Sequence, residues 1–514
     1  MSTTTEISKG VVSVGTWNLT KIITSAIAYP ILARLLGADG YGQYAYCLAV
    51  IMLASPFANM GITYVLTKHL AERPGDLVWR RNLAAFCGLT NLIATLSVGA
   101  VVSILLLRYP VSGRNPVIMA GVVVGIIILE QVWFYSRGIL YGLHREELAT
   151  LPATLGAIVS AGLGIGFALS GMGVLGVLTG ILIANLAVAI VTFRYTYQVV
   201  EWSSGSDIFR ELPVLNLATI GLSSMLFTTF SLALYRADII LVRHLASDAQ
   251  AGLYAAAVQW SQFVWFVPMA VEAMLLQATT PLWGEGHVGL ITDMLSRWLR
   301  HSALVTAFFL VFIFVFADHV MQIFFGSDFS GASLMLRILV PGALAFSFAR
   351  DMWPVIYARS HAFLLVVVIA SAVLVNLTLN WFLIRQWGAA GASVAASVSF
   401  ACVLLAYSVI LRSWGVEPLA GFSIGRFFFL CIVTTACLAP VSLSISSAPA
   451  AVLIGGILGA SIYWAGALRL GLLHVDEILH FLNSLPEPLQ SFCRKIFSVL
   501  QPTLLRIEVG MVGK

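Results

Sequence analysis

Apolar stretches of 20 or more residues recur along almost the whole chain, from residue 10 to residue 470. A helix of that length and composition crosses the roughly 30 Å hydrocarbon core of a bilayer. Of the 514 residues, 60% are hydrophobic and only 10% are charged, whereas about 25% are charged in a typical soluble domain. A soluble globule cannot bury that much apolar surface. The sequence therefore predicts an all-α polytopic membrane protein.

Runs long enough to cross the bilayer predict fourteen transmembrane helices. Basic residues support this number: with the amino terminus inside, 18 Lys and Arg fall in cytoplasmic segments and 6 on the opposite side. Such a cytoplasmic excess is typical of membrane proteins, so we expect a cell inner membrane protein with both termini in the cytoplasm. The approximate limits of the spans are 10–36, 41–66, 82–107, 117–141, 148–170, 174–198, 212–242, 250–278, 301–325, 332–357, 361–384, 390–411, 424–446 and 449–470.

Two stretches about 210 residues apart carry the same markers in the same order. Six spans, an even number, separate the copies, so both enter the membrane in the same sense and predict two pseudo-symmetric six-helix lobes related by an axis along the membrane normal. The lobes cover residues 10–200 and 210–412, followed by two additional spans over 424–470 and a cytoplasmic amphipathic tail over 473–514. The matching residues are Arg34, Asp39, Gly42 and Tyr44 in the first copy and Arg243, Asp248, Gly252 and Tyr254 in the second.

Residues 34–45 (RLLGADGYGQYA), their weaker copy at 243–255 and residues 388–392 (GAAGA) resemble one family. This is the polysaccharide-transporter branch of the multidrug, oligosaccharidyl-lipid and polysaccharide (MOP) exporter superfamily, the O-antigen and exopolysaccharide flippases. The resemblance implies a MATE-like fold that moves an undecaprenyl-diphosphate-linked oligosaccharide to the outer leaflet by alternating access, without a cofactor. It implies lipid-linked oligosaccharide and membrane lipids as partners, with a polysaccharide polymerase complex as a further candidate.

Charged residues inside the predicted spans are the candidate functional residues, because each costs about 2.5 to 3.5 kcal/mol at a helix centre. A diphosphate needs cations, which predicts the substrate-binding set Lys21, Arg137, Arg236 and Arg350. The candidate ion-coupling carboxylates are Glu130, Asp238 and Glu272. The alternative interpretation is that these charges only neutralise one another as packing pairs, above all Arg350 with its neighbour Asp351.

Two other transport functions stay open at this point. A cation-coupled multidrug exporter of the same superfamily would use the carboxylates, and a peptidoglycan-precursor lipid flippase would use the cations. A membrane polymerase or ligase would need a long extracytoplasmic loop, which the spacing of the spans does not allow. Walker, HExxH and nucleophile-elbow motifs do not occur, so we expect no enzyme, no catalytic residue and no metal site. The net charge is +5, but the basic residues are scattered singly along the chain, which predicts no nucleic-acid partner.

Overall fold

The computed structural model describes residues 2–73, 75–111, 115–200, 202, 212–359 and 362–473. This part of the chain is helical without any β-strand, which confirms the predicted fold class. From residue 474 onward, the predicted amphipathic tail lies outside the described residues. The α-helices, labelled α1 to α16 in chain order, are Ser2–Asn59, Ile62–Glu72, Leu77–Arg108, Pro116–Gly142, Glu146–Leu169, Gly173–Val200, Val214–Leu245, Asp248–Phe263, Phe266–Gly284, Val288–Val315, Ala317–Phe324, Ala332–Ala358, Ala362–Trp387, Ala389–Ser413, Ile424–Ser444 and Ala448–Arg469.

Within the described ranges, twelve helices are long and apolar enough to cross a membrane. The pair α8 and α9, bent by 46° at their junction, raises the number to thirteen. α1 contains two predicted spans, because the backbone leaves the helical conformation at Gly37 (φ 67°, ψ 177°). Glycine adopts positive φ at no steric cost, so it suits such a break. The predicted count of fourteen spans is therefore approximate, against twelve to thirteen in the described part of the chain.

Polar side chains set the starts of two membrane helices in the amino-terminal part of the chain. The Asp76 carboxylate accepts a hydrogen bond from the Trp79 backbone N–H (2.9 Å) at the start of α3. Asn115 accepts one from the Val117 N–H (3.0 Å) at the start of α4, where Pro116 occupies the first turn. Both arrangements satisfy backbone donors that have no partner within the helix. The start of α4 is thereby fixed, and this helix carries Glu130 and Arg137.

The chain divides into two compact units. Unit 1 comprises Met1–Ala256 and Ile369–Ala395, and unit 2 comprises Ala257–Val368 and Ala396–Lys514. Unit 1 thus contains α1 to α7, the first half of α8 and most of α13. The six-helix lobes predicted over 10–200 and 210–412 follow the sequence repeat and remain a prediction.

In unit 1, the two copies of the repeated motif contact each other where α1 crosses α8. A Cβ atom added to Gly42 would overlap with the backbone oxygen of Asp248, and one added to Gly252 would overlap with that of Ala38. Gly42 and Gly252 are matching positions of the repeat, and each lies against a backbone oxygen of the other copy. Polar contacts flank this glycine crossing: the Gln43 amide donates to the Asp248 carboxylate (3.0 Å), which also pairs with Arg243 (2.6 Å).

In unit 2, the two additional helices α15 and α16 pack against α10. Phe427 of α15 and Tyr463 of α16 are fully buried in one cluster with Leu304 of α10. The Tyr463 hydroxyl donates to the Leu304 backbone oxygen (2.9 Å), which satisfies a polar group inside an apolar cluster. The helices predicted over residues 424–470 are therefore integrated into the packing of unit 2.

Candidate functional site

Unit 1 contains a cavity of about 840 Å³. Side chains from α1, α2, α4, α5, α6 and α7 line it. This lining is mixed: hydrogen-bonding groups such as Asn18, Thr24 and Asn185 alternate with aromatic rings such as Tyr29 and Tyr44. Polar groups on membrane helices are costly unless they face a bundle interior or water. Most of the cavity wall is apolar, with polar groups spread along it.

Three of the predicted site residues line this cavity: Lys21 on α1, and Glu130 and Arg137 on α4. Glu130 and Arg137 are seven residues apart, which is about two turns, and therefore lie on the same face of α4. The charges of Glu130, Arg137 and Arg236 all act on Lys21. Arg236, on α7, is near this group but does not line the cavity itself. The structure thus brings these four charged residues together in unit 1.

Arg137 is held by aromatic rings. Its guanidinium carbon lies 5.1 Å, 5.4 Å and 5.5 Å from the ring centroids of Trp133, Phe134 and Tyr141. Rings at this distance attract a cation through their quadrupoles. The Arg137 Nε atom is buried and has no hydrogen-bond partner among the described residues. A cation placed in this way keeps donor capacity for an anionic ligand.

Lys21 has a similar setting on α1. Its ammonium nitrogen lies 5.7 Å from the ring centroid of Trp17, one turn earlier on the same helix. Trp17 in turn meets Trp133 edge to face, with ring centroids 6.0 Å apart. The two cations of the cavity are therefore linked through two indole rings.

Arg350 and Glu272 belong to unit 2, where they form an ion pair with Nε and Oε1 2.6 Å apart. Their side chains are 17% and 14% exposed, so the pair is largely removed from solvent. Arg350 contacts this residue of α9 rather than its chain neighbour Asp351, because consecutive residues on a helix do not face each other. The expected pairing of Arg350 with Asp351 is thus replaced by a contact between helices. A predicted substrate-binding residue and a predicted ion-coupling residue neutralise each other here.

Asp238, on α7 in unit 1, is almost completely buried and lies outside the lining of the cavity. Its carboxylate accepts hydrogen bonds from the Tyr254 hydroxyl (2.6 Å) and from the Asn380 amide (2.7 Å). Asn380 also donates to Asn376, one turn away on α13 (3.0 Å). The Asn376 side chain also interacts with Asp238, and the Asn380 Oδ1 atom is buried without a hydrogen-bond partner in the described part of the chain. The Asp238 carboxylate is thus held by polar side chains of α8 and α13.

Sequence reasoning missed Asn376 and Asn380. The available signal was two asparagines spaced by four residues in an otherwise apolar span, since this spacing places both on one face of a helix. Asn376 also begins a glycosylation-like triplet with Leu377 and Thr378. An amide inside a membrane helix needs a polar partner, and here the partner is Asp238.

The described residues thus form two units of membrane-length helices, and unit 1 contains a cavity with charged side chains in its wall. Residues 7–284 match the family model described as polysaccharide biosynthesis protein, and the chain belongs to this family. It is a flippase-type transporter of the MOP superfamily and not an enzyme.

Two curated relatives are similar in sequence. Stage V sporulation protein B of Bacillus subtilis (strain 168) is 23% identical over 376 residues, 65% of this chain and 69% of that protein. The probable low-salt glycan biosynthesis flippase Agl15 of Haloferax volcanii is 27% identical over 179 residues, which cover 34% of this chain and 38% of the relative.

Two solved structures share the fold. The lipid II flippase MurJ in an inward closed conformation matches with a TM-score of 0.72 and 12% identity, over 89% of this chain and 98% of that one. An inward-facing multidrug resistance MATE family transporter of the MOP superfamily matches with a TM-score of 0.62 and 15% identity, over 80% and 99%. At these identities the likeness concerns the fold alone.

Proposed function

We propose that this protein moves an undecaprenyl-diphosphate-linked oligosaccharide from the inner to the outer leaflet of the cytoplasmic membrane by alternating access. The observation that carries the proposal is the cavity of unit 1, where Lys21 and Arg137 stand among hydroxyl, amide and aromatic groups. A diphosphate is bound best by such cations in a site of lowered dielectric. The sugar hydroxyls find donors and acceptors along the same walls. Arg236 supports the positive potential from α7.

The carboxylates have separate roles in this proposal. Asp238 is the residue we assign to ion coupling, because it is a carboxylate buried inside the helix bundle and held there by hydrogen bonds from Tyr254 and Asn380. Glu130 lines the substrate cavity. Glu272 neutralises Arg350. Both termini in the cytoplasm, the two rocking lobes and a polymerase complex as partner belong to the same proposal and follow from the sequence arguments.

A multidrug exporter is the competing function, and the presence of Glu130 in the cavity is what a cationic drug would require. The two functions depend on charges of opposite sign. Under the flippase proposal Lys21 and Arg137 are essential, whereas a drug exporter depends on Glu130 and tolerates loss of the cations.

The experiment is complementation of a strain from which this protein has been deleted, with mass spectrometry of lipid-linked intermediates. The double variant Lys21→Ala, Arg137→Ala should accumulate lipid-linked oligosaccharide and export no surface polysaccharide at normal protein abundance. Arg385→Ala is the matched control, because Arg385 is an exposed cation that does not line the cavity. Normal export by the double variant, or loss of drug efflux in Glu130→Gln, would contradict the proposal.

A further inference from the structure

Two helices present the same short pattern to the cavity of unit 1. Trp17 and Lys21 are four residues apart on α1, and Trp133 and Arg137 are four residues apart on α4. This spacing places each indole one helical turn from its cation on the same face. All four side chains line the cavity. The two Trp-x-x-x-cation pairs meet through their indoles, with ring centroids 6.0 Å apart and planes inclined by 65°.

The indoles are only partly covered by protein. Both tryptophan side chains are half-buried, so part of each ring surface is open. Trp133 is oriented by its indole N–H, which is directed at the Ala149 backbone oxygen (3.4 Å). Rigid aromatic surface that is open to a cavity binds apolar faces at a low cost in conformational entropy.

The chemistry around the indoles is that of a sugar-binding site. A pyranose ring has a face of C–H groups that packs on an aromatic ring, and its hydroxyls project from the edge. Asn18, next to Trp17, and Glu130, one turn before Trp133, also line the cavity. An amide and a carboxylate in these positions accept hydrogen bonds from ring hydroxyls. The cations one turn further along α1 and α4 lie within reach of a phosphate attached to that ring.

We propose that the two Trp-x-x-x-cation pairs form a subsite for the sugar-diphosphate end of the transported lipid, an inference that rests on the proposed function. Lys21 and Arg137 take the diphosphate, and the indoles of Trp17 and Trp133 take the pyranose ring linked directly to it. The cavity volume of about 840 Å³ is near the upper end of the roughly 300 to 1,000 Å³ of drug-sized sites. This volume accommodates a sugar diphosphate. The subsite should therefore discriminate between lipids by the first sugar and not by the sugars further out.

The test is calorimetric titration of the purified full-length protein in detergent with two probes. One probe is farnesyl diphosphate and the other is farnesyl diphosphate–glucose, so their ratio of Kd values isolates the contribution of the sugar ring. Stacking on an aromatic pair should make the glucose probe bind about three- to tenfold tighter. Trp17→Ala and Trp133→Ala should each bring the ratio of the two Kd values close to one, even where loss of the contact with Lys21 or Arg137 also weakens binding of farnesyl diphosphate.

A third Trp-x-x-x-Arg pair provides the matched control. Arg385 stacks on Trp381 of α13 with its guanidinium carbon 3.8 Å from the ring centroid, but neither residue lines the cavity. Trp381→Ala should therefore keep the full preference for the glucose probe. Trp17→Phe and Trp133→Phe, which retain a ring, should keep part of it, and their thermal unfolding reports whether each variant is folded.

Different results would refute the subsite and the proposed function. If Lys21→Ala, Arg137→Ala loses both probes but the tryptophan variants keep the sugar preference, the subsite is refuted and the proposed function stands. If the tryptophan variants weaken both probes equally, or if wild type shows no preference for glucose, the subsite is also refuted. Unchanged binding of farnesyl diphosphate by the cation double variant, or no binding by wild type, would overturn the proposed function together with the subsite.

Discussion

The substitution Gly252→Ala should shift this transporter toward a state in which the contact between α1 and α8 is open. A Cβ at Gly252 would overlap with the backbone oxygen of Ala38 and lie 3.0 Å from the Gly42 backbone nitrogen. Backbone atoms in a helix cannot rotate away as a side chain can. The new methyl group must therefore push the two helices apart, and with them the polar contact between Gln43 and Asp248.

The size of the shift follows from the cost of overpacking. An extra carbon in a close-packed contact costs about 1 to 3 kcal/mol. The extra carbon destabilises only the closed state, in which α1 and α8 are in contact. The higher helix propensity of alanine stabilises the open and closed states equally and does not change their ratio. Since about 1.4 kcal/mol corresponds to a factor of ten, the ratio of open to closed molecules should rise about 5- to 140-fold.

Cys47 is a native reporter of this opening. It follows Gly42 by five residues on α1, and its side chain is completely buried. The rate at which a membrane-impermeant maleimide labels Cys47, followed by mass spectrometry of the peptide, should rise by the same factor in Gly252→Ala. Gly162→Ala on α5 is the control, because an added Cβ there meets no atom within 4 Å. An unchanged rate in Gly252→Ala, or an equal rise in the control, would refute the reasoning.

Three further predictions concern charges away from the cavity. Glu272→Ala should lower the free energy of unfolding by about 3 kcal/mol, because it leaves the buried guanidinium of Arg350 without a partner. Adding Arg350→Met should restore the thermal stability. An unchanged stability in Glu272→Ala would contradict the pairing. Asp238→Asn should remove the dependence of transport on an ion gradient in proteoliposomes while the protein remains folded. Burial raises the pKa of Asp318, but its hydrogen bonds and the charge of Arg337 outweigh burial and hold the pKa below its usual range. The contribution of this ion pair to the free energy of unfolding should be complete above about pH 4 and should fall as the pH drops through the lowered pKa of Asp318. In thermal unfolding experiments, Asp318→Asn should not show this loss of stability at low pH.

The helical fold and part of the site follow from local sequence patterns. Apolar runs predict the spans because the bilayer fixes how long an apolar helix must be. The seven-residue spacing of Glu130 and Arg137 predicts a shared face, and both residues line the cavity. The repeat markers at Gly42 and Gly252 are visible as equivalent positions in the sequence.

Contacts between distant helices do not follow from such patterns. The pairing of Arg350 with Glu272, rather than with its neighbour Asp351, depends on how α9 and α12 cross. Asp238 meets Asn380 across 142 positions of sequence, and no local spacing encodes that meeting. The glycine markers of the repeat likewise gave no sign that the two copies touch each other. Crossing angles are set by the sum of side-chain packing along both helices, so they emerge only from the folded structure.

Reconstituted transport tests the central claim that the cations of the unit 1 cavity carry a lipid-linked glycan. The protein is placed in proteoliposomes with a fluorescent undecaprenyl-diphosphate oligosaccharide, and an impermeant quencher measures how much label reaches the outer leaflet over time. Wild type and Arg385→Ala should move the lipid at the same rate, and Lys21→Ala, Arg137→Ala should lower that rate to the level of protein-free vesicles. Transport by the double variant at the wild-type rate would contradict the account.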